Sequence, residues 1–278
     1  MKKGISILKS FLFLIIGIIL VVSILTVLFR TRSNDDQETI ETKKEPLHIV
    51  AIGDSLTEGV GDSTNSGGYV SIVDELLEET QNYQEVTTSN YGKSGDRSDQ
   101  ILKRFYEDEA MQGDIQTADM VVLTIGGNDI IQTFKKDFFF FFEQKFIAPE
   151  KTYEQNLKSL LTEMKELNPE VEIYVFGIYN PYSVYFPEIT EMQTIVDEWN
   201  EKTQAVVNET DSATFLSIAS LFNQSSESAG KENQLLNEQN SAATEVVNPY
   251  LYEEDLFHPN RAGYRLMGEK LFQAIVNN

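Results

Sequence analysis

Leu47-His48-Ile49-Val50-Ala51-Ile52-Gly53-Asp54-Ser55-Leu56-Thr57-Glu58-Gly59 is the stretch on which the reading of the fold turns. Its first six residues are apolar and β-branched apart from His48, and they lie between polar flanks, as in a short buried strand. Thr57, Glu58 and Gly59 cannot extend that strand. A serine on the turn that leaves it has its Oγ held at the C-terminal edge of a sheet, where open α/β folds place their ligands. In isolation Gly53-Asp54-Ser55-Leu56 is equally an ordinary turn, so its meaning depends on the remaining chain.

The 278 residues suffice for one large domain with a sizeable core, and 41% hydrophobic with 24% charged residues is a globular composition. A formal net charge of −22 argues against nucleic acid as a partner, because phosphate contacts need clustered Lys and Arg. It equally disfavours electrostatic docking on anionic lipid. There is no cysteine, which excludes disulfides, thiolate zinc sites and a cysteine nucleophile. His48 and His258 are the only histidines, too few for a multi-histidine metal centre, and no cofactor is expected.

From Phe11 to Phe29 the chain is nearly all Leu, Ile, Val and Phe, broken by Gly17, Ser23 and Thr26. As a helix that length spans the hydrocarbon core of a bilayer, about 30 Å. Lys2, Lys3 and Lys9 precede it and Asp35, Asp36 and Glu38 follow, with Arg30 and Arg32 opposing, so the positive-inside rule puts the N-terminus in the cytoplasm. The apolar run is too long for a cleaved signal peptide, and Leu28-Phe29-Arg30 offers no small-residue cleavage site. Residues 1–30 are therefore expected to be a single-pass transmembrane anchor, 31–45 a polar flexible tether, and 46–278 one domain outside the cytoplasm.

Within that domain strand-like and helix-like stretches alternate. Strands are expected at 47–52, 85–90, 120–125, 171–178 and 213–218. Helices are expected at 68–80, 98–110, 130–146, 152–167, 190–208 and 261–276. Met120-Val121-Val122-Leu123-Thr124-Ile125 is apolar on both faces, the mark of a buried parallel strand. The alternation argues for a five-stranded parallel sheet covered on both sides, a three-layer α/β/α sandwich.

Two stretches interrupt this pattern. Phe138 to Phe142 are five consecutive phenylalanines, which point all round a helix. They fit a helix buried between neighbours, an apolar wall beside an active site, or a surface dipping into a membrane. Asn223 to Asn248 is rich in Ser, Asn, Glu and Gln and reads as a mobile surface insertion, placed where it could gate the histidine loop that follows.

That loop is Asp255-Leu256-Phe257-His258-Pro259. A three-residue separation lets one short turn bring the Asp255 carboxylate to His258 Nδ1, leaving Nε2 free to take a proton from a hydroxyl. Pro259 starts the closing helix, and His48, inside the first strand, reads as structural. Two further loops leave strand ends: Asn90-Tyr91-Gly92-Lys93-Ser94-Gly95-Asp96 and Gly126-Gly127-Asn128-Asp129. Their glycines permit backbone conformations that aim N–H groups into a cleft, and the Asn128 amide can donate to a developing oxyanion. Gly95 is equally an ordinary turn, and Asn128 or Asp129 equally a helix cap.

Taken together, Gly53-Asp54-Ser55-Leu56, Gly95, Gly126-Gly127-Asn128-Asp129 and Asp255-Leu256-Phe257-His258-Pro259 resemble, in chain order, the four blocks of the SGNH (GDSL-type) hydrolase family. The resemblance spans essentially all of residues 46–278. It implies a flavodoxin-like α/β/α sandwich and metal-free ester hydrolysis. Ser55 would be the nucleophile, His258 the base and Asp255 its orienting partner, with an oxyanion hole of the Ser55 N–H, the Gly95 N–H and the Asn128 side chain. The glycine block departs from the family pattern, since Arg97 stands where many members have threonine, and Gly92 is a rival to Gly95. With its tether the chain is similar to the membrane-anchored lipase/acylhydrolase-like proteins of Gram-positive bacteria. Three functions stay open at this point: hydrolysis of lipid or other acyl esters, removal of O-acetyl groups from a cell-envelope glycan, and non-catalytic binding at the cell surface on the same fold.

Overall fold

Five short strands, four of them largely apolar, pair into one sheet. They are β1 (Leu47–Gly53), β2 (Val86–Gly92), β3 (Met120–Thr124), β4 (Glu172–Phe176) and β5 (Ala213–Leu216). The order is β2-β1-β3-β4-β5 and every pairing is parallel. The computed structural model describes residues 16–26, 44–136, 145–186, 188–222 and 248–277. The five-phenylalanine run, residues 223–247 and most of the expected anchor and tether fall outside them. The chain divides into two units, Met1–Lys44 and Glu45–Asn278. In the first, residues 16–26 are helical. Among the described residues no helix is long and apolar enough to cross a membrane.

Side chains alternate across each strand, so each strand feeds two cores. Val50, Ile52, Val121, Leu123, Ile173 and Val175 face one side. There they meet α3 (Ser98–Glu107), α4 (Glu109–Thr117), α6 (Ile147–Leu167) and α7 (Thr190–Asn208); the short α1 (Ser55–Glu58) and α2 (Tyr69–Glu79) precede these in the chain, and α5 (Gly127–Lys136) lies between α4 and α6. Ile49, Ala51, Val122, Tyr174 and Phe176 face the other side, against α2 and α8 (Arg261–Val276). Burial of this kind contributes about 1.5–3 kcal/mol per large apolar side chain, which is why the interior strands carry so little polarity. β2 is a sheet edge and can afford Thr87, Thr88 and Ser89.

The helices expected at 68–80, 190–208 and 261–276 lie within a residue of those positions. The expected helix 98–110 breaks at Asp108, whose carboxylate accepts the Ala110 and Met111 N–H groups (both 3.1 Å) and so starts α4, an element absent from the sequence reading. The expected helix 130–146 starts earlier, at Gly127, and residues 145–146 are not part of an α-helix. The next helix starts at Ile147 rather than at residue 152. Pro149 sits in its first turn, where a missing N–H costs no intrahelical bond.

Because β1 lies between β2 and β3, the chain leaves β1 in one direction to reach β2 and then returns past it to β3. The crevice at the C-terminal ends of β1 and β3 is thus the topological switch point of the sheet. Gly92 closes this edge: a Cβ there would stand 2.0 Å from the Glu58 nitrogen and 2.5 Å from the Thr57 carbonyl carbon, both backbone atoms of α1. Gly92→Ala is therefore expected to push α1 off the sheet and cost about 1–3 kcal/mol, read as a lower midpoint in urea unfolding. An unchanged midpoint would mean that α1 is not held by this approach.

Candidate active site

Ser55 is the first residue of α1, immediately after the strand end. Asp54 caps that helix through its carboxylate, which accepts the Leu56 N–H at 3.0 Å, and Gly59, at φ 90°, closes it after one turn. This short turn leaves the hydroxyl of Ser55, itself almost wholly buried, at the switch-point crevice. His258 approaches from the loop before α8. Its Nδ1 lies 2.6 Å from Asp255 Oδ2 and its Nε2 lies 2.9 Å from Ser55 Oγ. Asp255 Oδ1 also accepts the backbone N–H groups of Phe257 (2.9 Å) and His258 (3.0 Å), so one carboxylate shapes the loop and orients the ring.

Partial burial alone would raise the Asp255 carboxyl. The hydrogen bonds from the His258 ring and from the His258 and Phe257 backbone, together with the imidazole charge, outweigh it and hold the group below its ordinary carboxylate value. An ionised Asp255 can only accept, so Nδ1 carries a proton, which in the neutral ring leaves Nε2 to accept from the Ser55 hydroxyl. Tyr179, from the loop after β4, donates its hydroxyl to the Phe257 carbonyl at 2.6 Å and stacks on Phe222 with ring centroids 4.0 Å apart. Tyr252 N donates to the His258 carbonyl at 2.8 Å. The histidine loop is therefore braced from two sides.

Asn128, in the first turn of α5, faces the same cavity as Ser55. Its amide nitrogen gives one hydrogen to the Asp96 carbonyl at 3.0 Å and keeps a second for the cavity. Asp129 beside it accepts both the N–H (2.9 Å) and the hydroxyl (2.6 Å) of Ser98, which ties α5 to the start of α3. Gly95 has φ 84°, a left-handed conformation, and no hydrogen bond to its N–H occurs among the described residues. Gly92 is different, since its N–H is committed to Asn90 Oδ1 at 2.8 Å. Ser55 and Asn128 line the cavity, His258 and Asp255 reach Ser55 through hydrogen bonds, and Gly95 lies next to Asp96, whose carbonyl holds the Asn128 amide. His48 stands apart, with its N–H on Asp119 Oδ2 (2.7 Å) and its ring near Ser89 Oγ.

Beneath Ser55 lies a polar network that the sequence reading missed. Thr124 Oγ1 donates to Asp54 Oδ1 at 2.9 Å and lies 2.8 Å from Thr57 Oγ1, which lies 2.9 Å from the Tyr69 hydroxyl. Thr124 is the sole hydroxyl in β3, and a polar residue at the end of an otherwise apolar buried strand is the signal that marks it. Burial drives the Asp54 carboxyl above its ordinary value, against hydrogen bonds from Leu56 and Thr124 and the charge of His258.

The cavity itself measures about 480 Å³ and runs from Ser55 between α5 and α7. Ile125, Ile130, Ile178 and Val196 are buried at its walls, and Tyr182, Phe186 and Ile189 stand exposed where it meets solvent. Such a volume accommodates a ligand of roughly drug size.

A hydroxyl, an imidazole and a carboxylate are thus joined in series at the switch point of a parallel sheet in an α/β/α fold. The chain belongs to the GDSL-like lipase/acylhydrolase family, whose sequence model matches residues 51–266, and is a serine ester hydrolase. It is 34% identical over 247 residues to the uncharacterized protein YpmR of Bacillus subtilis, covering 88% of each chain. It is 26% identical over 234 residues to the spore germination lipase LipC of Bacillus licheniformis, covering 81% of this chain and 94% of that one. Its fold matches the crystal structure of the lipase Lip_vut3 from a goat rumen metagenome with a TM-score of 0.66 at 24% identity, over 82% of this chain and 97% of the other.

A carboxyl raised by folding favours the folded state below its ordinary pKa and costs stability as pH climbs through the raised value. Asp54→Asn keeps an oxygen for Leu56 and Thr124 but has no charge to bury. The unfolding temperature of this variant minus that of the wild type is therefore expected to grow as pH rises from about 3 to about 7. A difference that shrinks over that range would show that the carboxylate is a net stabiliser.

Proposed function

We propose that the protein hydrolyses carboxylic esters whose acyl part is an extended apolar chain, through Ser55, His258 and Asp255. The observation that carries this reading is the 2.9 Å contact between Ser55 and His258 at the head of a large apolar cavity. His258 Nε2 takes the Ser55 proton as Oγ attacks the ester carbonyl, and Asp255 balances the imidazolium that forms. The oxyanion is received by the Ser55 N–H at the start of α1, the free amide hydrogen of Asn128 and the Gly95 N–H. Each such donor contributes about 3–4 kcal/mol to the transition state. The protonated imidazole hands its proton to the departing alcohol. Water deprotonated by His258 then attacks the acyl-serine, the Ser55–acyl bond breaks as the imidazolium returns that proton to Ser55 Oγ, and the free acid leaves.

The apolar walls support a fatty-acyl substrate over an acetylated glycan, since an acetyl group would leave most of the cavity unfilled. The relative named as a spore germination lipase points the same way. The apolar, lysine-preceded N-terminal run supports an enzyme held at the membrane by residues 1–30, with residues 46–278 working on its outer side and 31–45 as the tether. No cofactor takes part in the proposed cycle.

A series of p-nitrophenyl esters from acetyl to palmitoyl tests this reading. We expect kcat/KM to peak at about eight carbons or more, and Ser55→Ala to lose at least about a thousandfold in kcat while keeping its fold. Full turnover by Ser55→Ala would overturn the mechanism, and a sharp acetyl preference would reassign the substrate to O-acetyl esters. Val196→Phe, placed on the cavity wall, is expected to cut turnover of the long esters by about tenfold or more and leave the acetyl ester within about threefold. Equal loss on all chain lengths would place the acyl chain elsewhere.

A further inference from the structure

Arg104 is a cation on the buried stripe of an amphipathic helix, following Ile101 at helical spacing and adjoining Phe105, both of which are fully buried. Such a position normally carries an apolar residue, so a charge there needs partners. It has three. Nε donates to Asp96 Oδ2 at 2.7 Å, one terminal nitrogen to the Tyr91 carbonyl at 3.0 Å and the other to the Gly53 carbonyl at 3.0 Å. The Asp96 side chain is only 7% exposed.

These partners are the ends of the segments that carry the three oxyanion donors. Gly53 is the last residue of β1, two positions before Ser55. Tyr91 lies at the end of β2, where the glycine loop begins. Asp96 directly follows Gly95, and its carbonyl is the acceptor for the Asn128 amide. One planar guanidinium thus fixes the Ser55 turn, the Gly95 loop and, through Asp96, the rotamer of Asn128. Lysine has a single donor centre and cannot span three acceptors in a fork. The same loop is held from its other side by Glu58, whose carboxylate accepts the Ser94 N–H, and by the Gly53 carbonyl, which accepts Lys93 N at 3.0 Å.

We infer that Arg104 is a positioning residue for the oxyanion hole: it touches no substrate and acts by setting the mutual placement of Ser55, Gly95 and Asn128. This inference rests on the esterase reading above, and Ser55→Ala separates the two. A Ser55→Ala protein that keeps its turnover removes the reading itself, whereas an inert one leaves Arg104 to be judged alone.

The test is steady-state kinetics of the full chain on the best p-nitrophenyl ester, as a cycle of Arg104→Gln, Asn128→Ala and the double variant. We expect Arg104→Gln to lower kcat by about ten- to a hundredfold with KM within about threefold, because the lost donors act in the transition state. In the Asn128→Ala background the same substitution should cost less than about threefold, since the two act through one group of donors. A merely structural arginine would instead give equal factors in both backgrounds. If Arg104→Gln does not fold, Arg104→Lys and Asp96→Asn replace it in the cycle, with a kcat loss and the same non-additivity expected. Folded variants with unchanged kcat, or losses that multiply fully with Asn128→Ala, would overturn the inference.

Discussion

A parallel sheet with both faces covered can place chemistry only at its ends. Each interior strand here gives its side chains to one core or the other, so a polar group within the sheet would have to be desolvated without a partner. The first polar side chains beyond β1 and β3 are Asp54 and Ser55 on one side and Asn128 on the other, with Thr124 between them at the end of its strand. The strand order then decides the rest. With β1 lying between β2 and β3, the two connections diverge, and the space they leave is where α1 and α5 begin.

That space contains more than the residues of the proposed reaction. Asp54, Thr124, Thr57 and Tyr69 form a chain of short hydrogen bonds under Ser55, and burial of the Asp54 carboxyl is unfavourable enough to raise its pKa. Arg104 adds a partly buried cation, matched by the buried carboxylate of Asp96. Both are costly relative to apolar residues. What they supply is a fixed arrangement of backbone ends, and transition-state stabilisation by preorganised dipoles depends on such fixity.

Selectivity and chemistry are drawn from different parts of the fold. The groups of the proposed reaction come from the turns after β1 and β3 and from the loop before α8. The cavity walls come from α5, the segment after β4 and α7. Tyr179 joins the two sets, because it lines the cavity and also holds the Phe257 carbonyl next to His258. A change in the cavity can therefore be made at Val196 without disturbing the imidazole, whereas a change at Tyr179 cannot.

The strands, the three helices with unbroken apolar spacing and the identity of Ser55, Asn128, Asp255 and His258 were legible in the sequence, because each is announced locally: by period, by a turn dipeptide, or by a histidine three residues from an acid. The start of α4 at Asp108 was missed because capping there interrupts an apparently continuous pattern. Arg104, the raised carboxyl of Asp54 and the cavity beside Val196 depend on neighbours far away along the chain. Arg104 meets Gly53 across 51 positions, Asp54 meets Thr124 across 70, and Ser55 meets His258 across 203. By itself the amino-acid order determined which residues are candidates for chemistry and which must be buried, since those are properties of single side chains and their near neighbours. Only the packed sheet decided which of them touch and which donors stay free, because burial and hydrogen bonding are properties of pairs that the fold brings together.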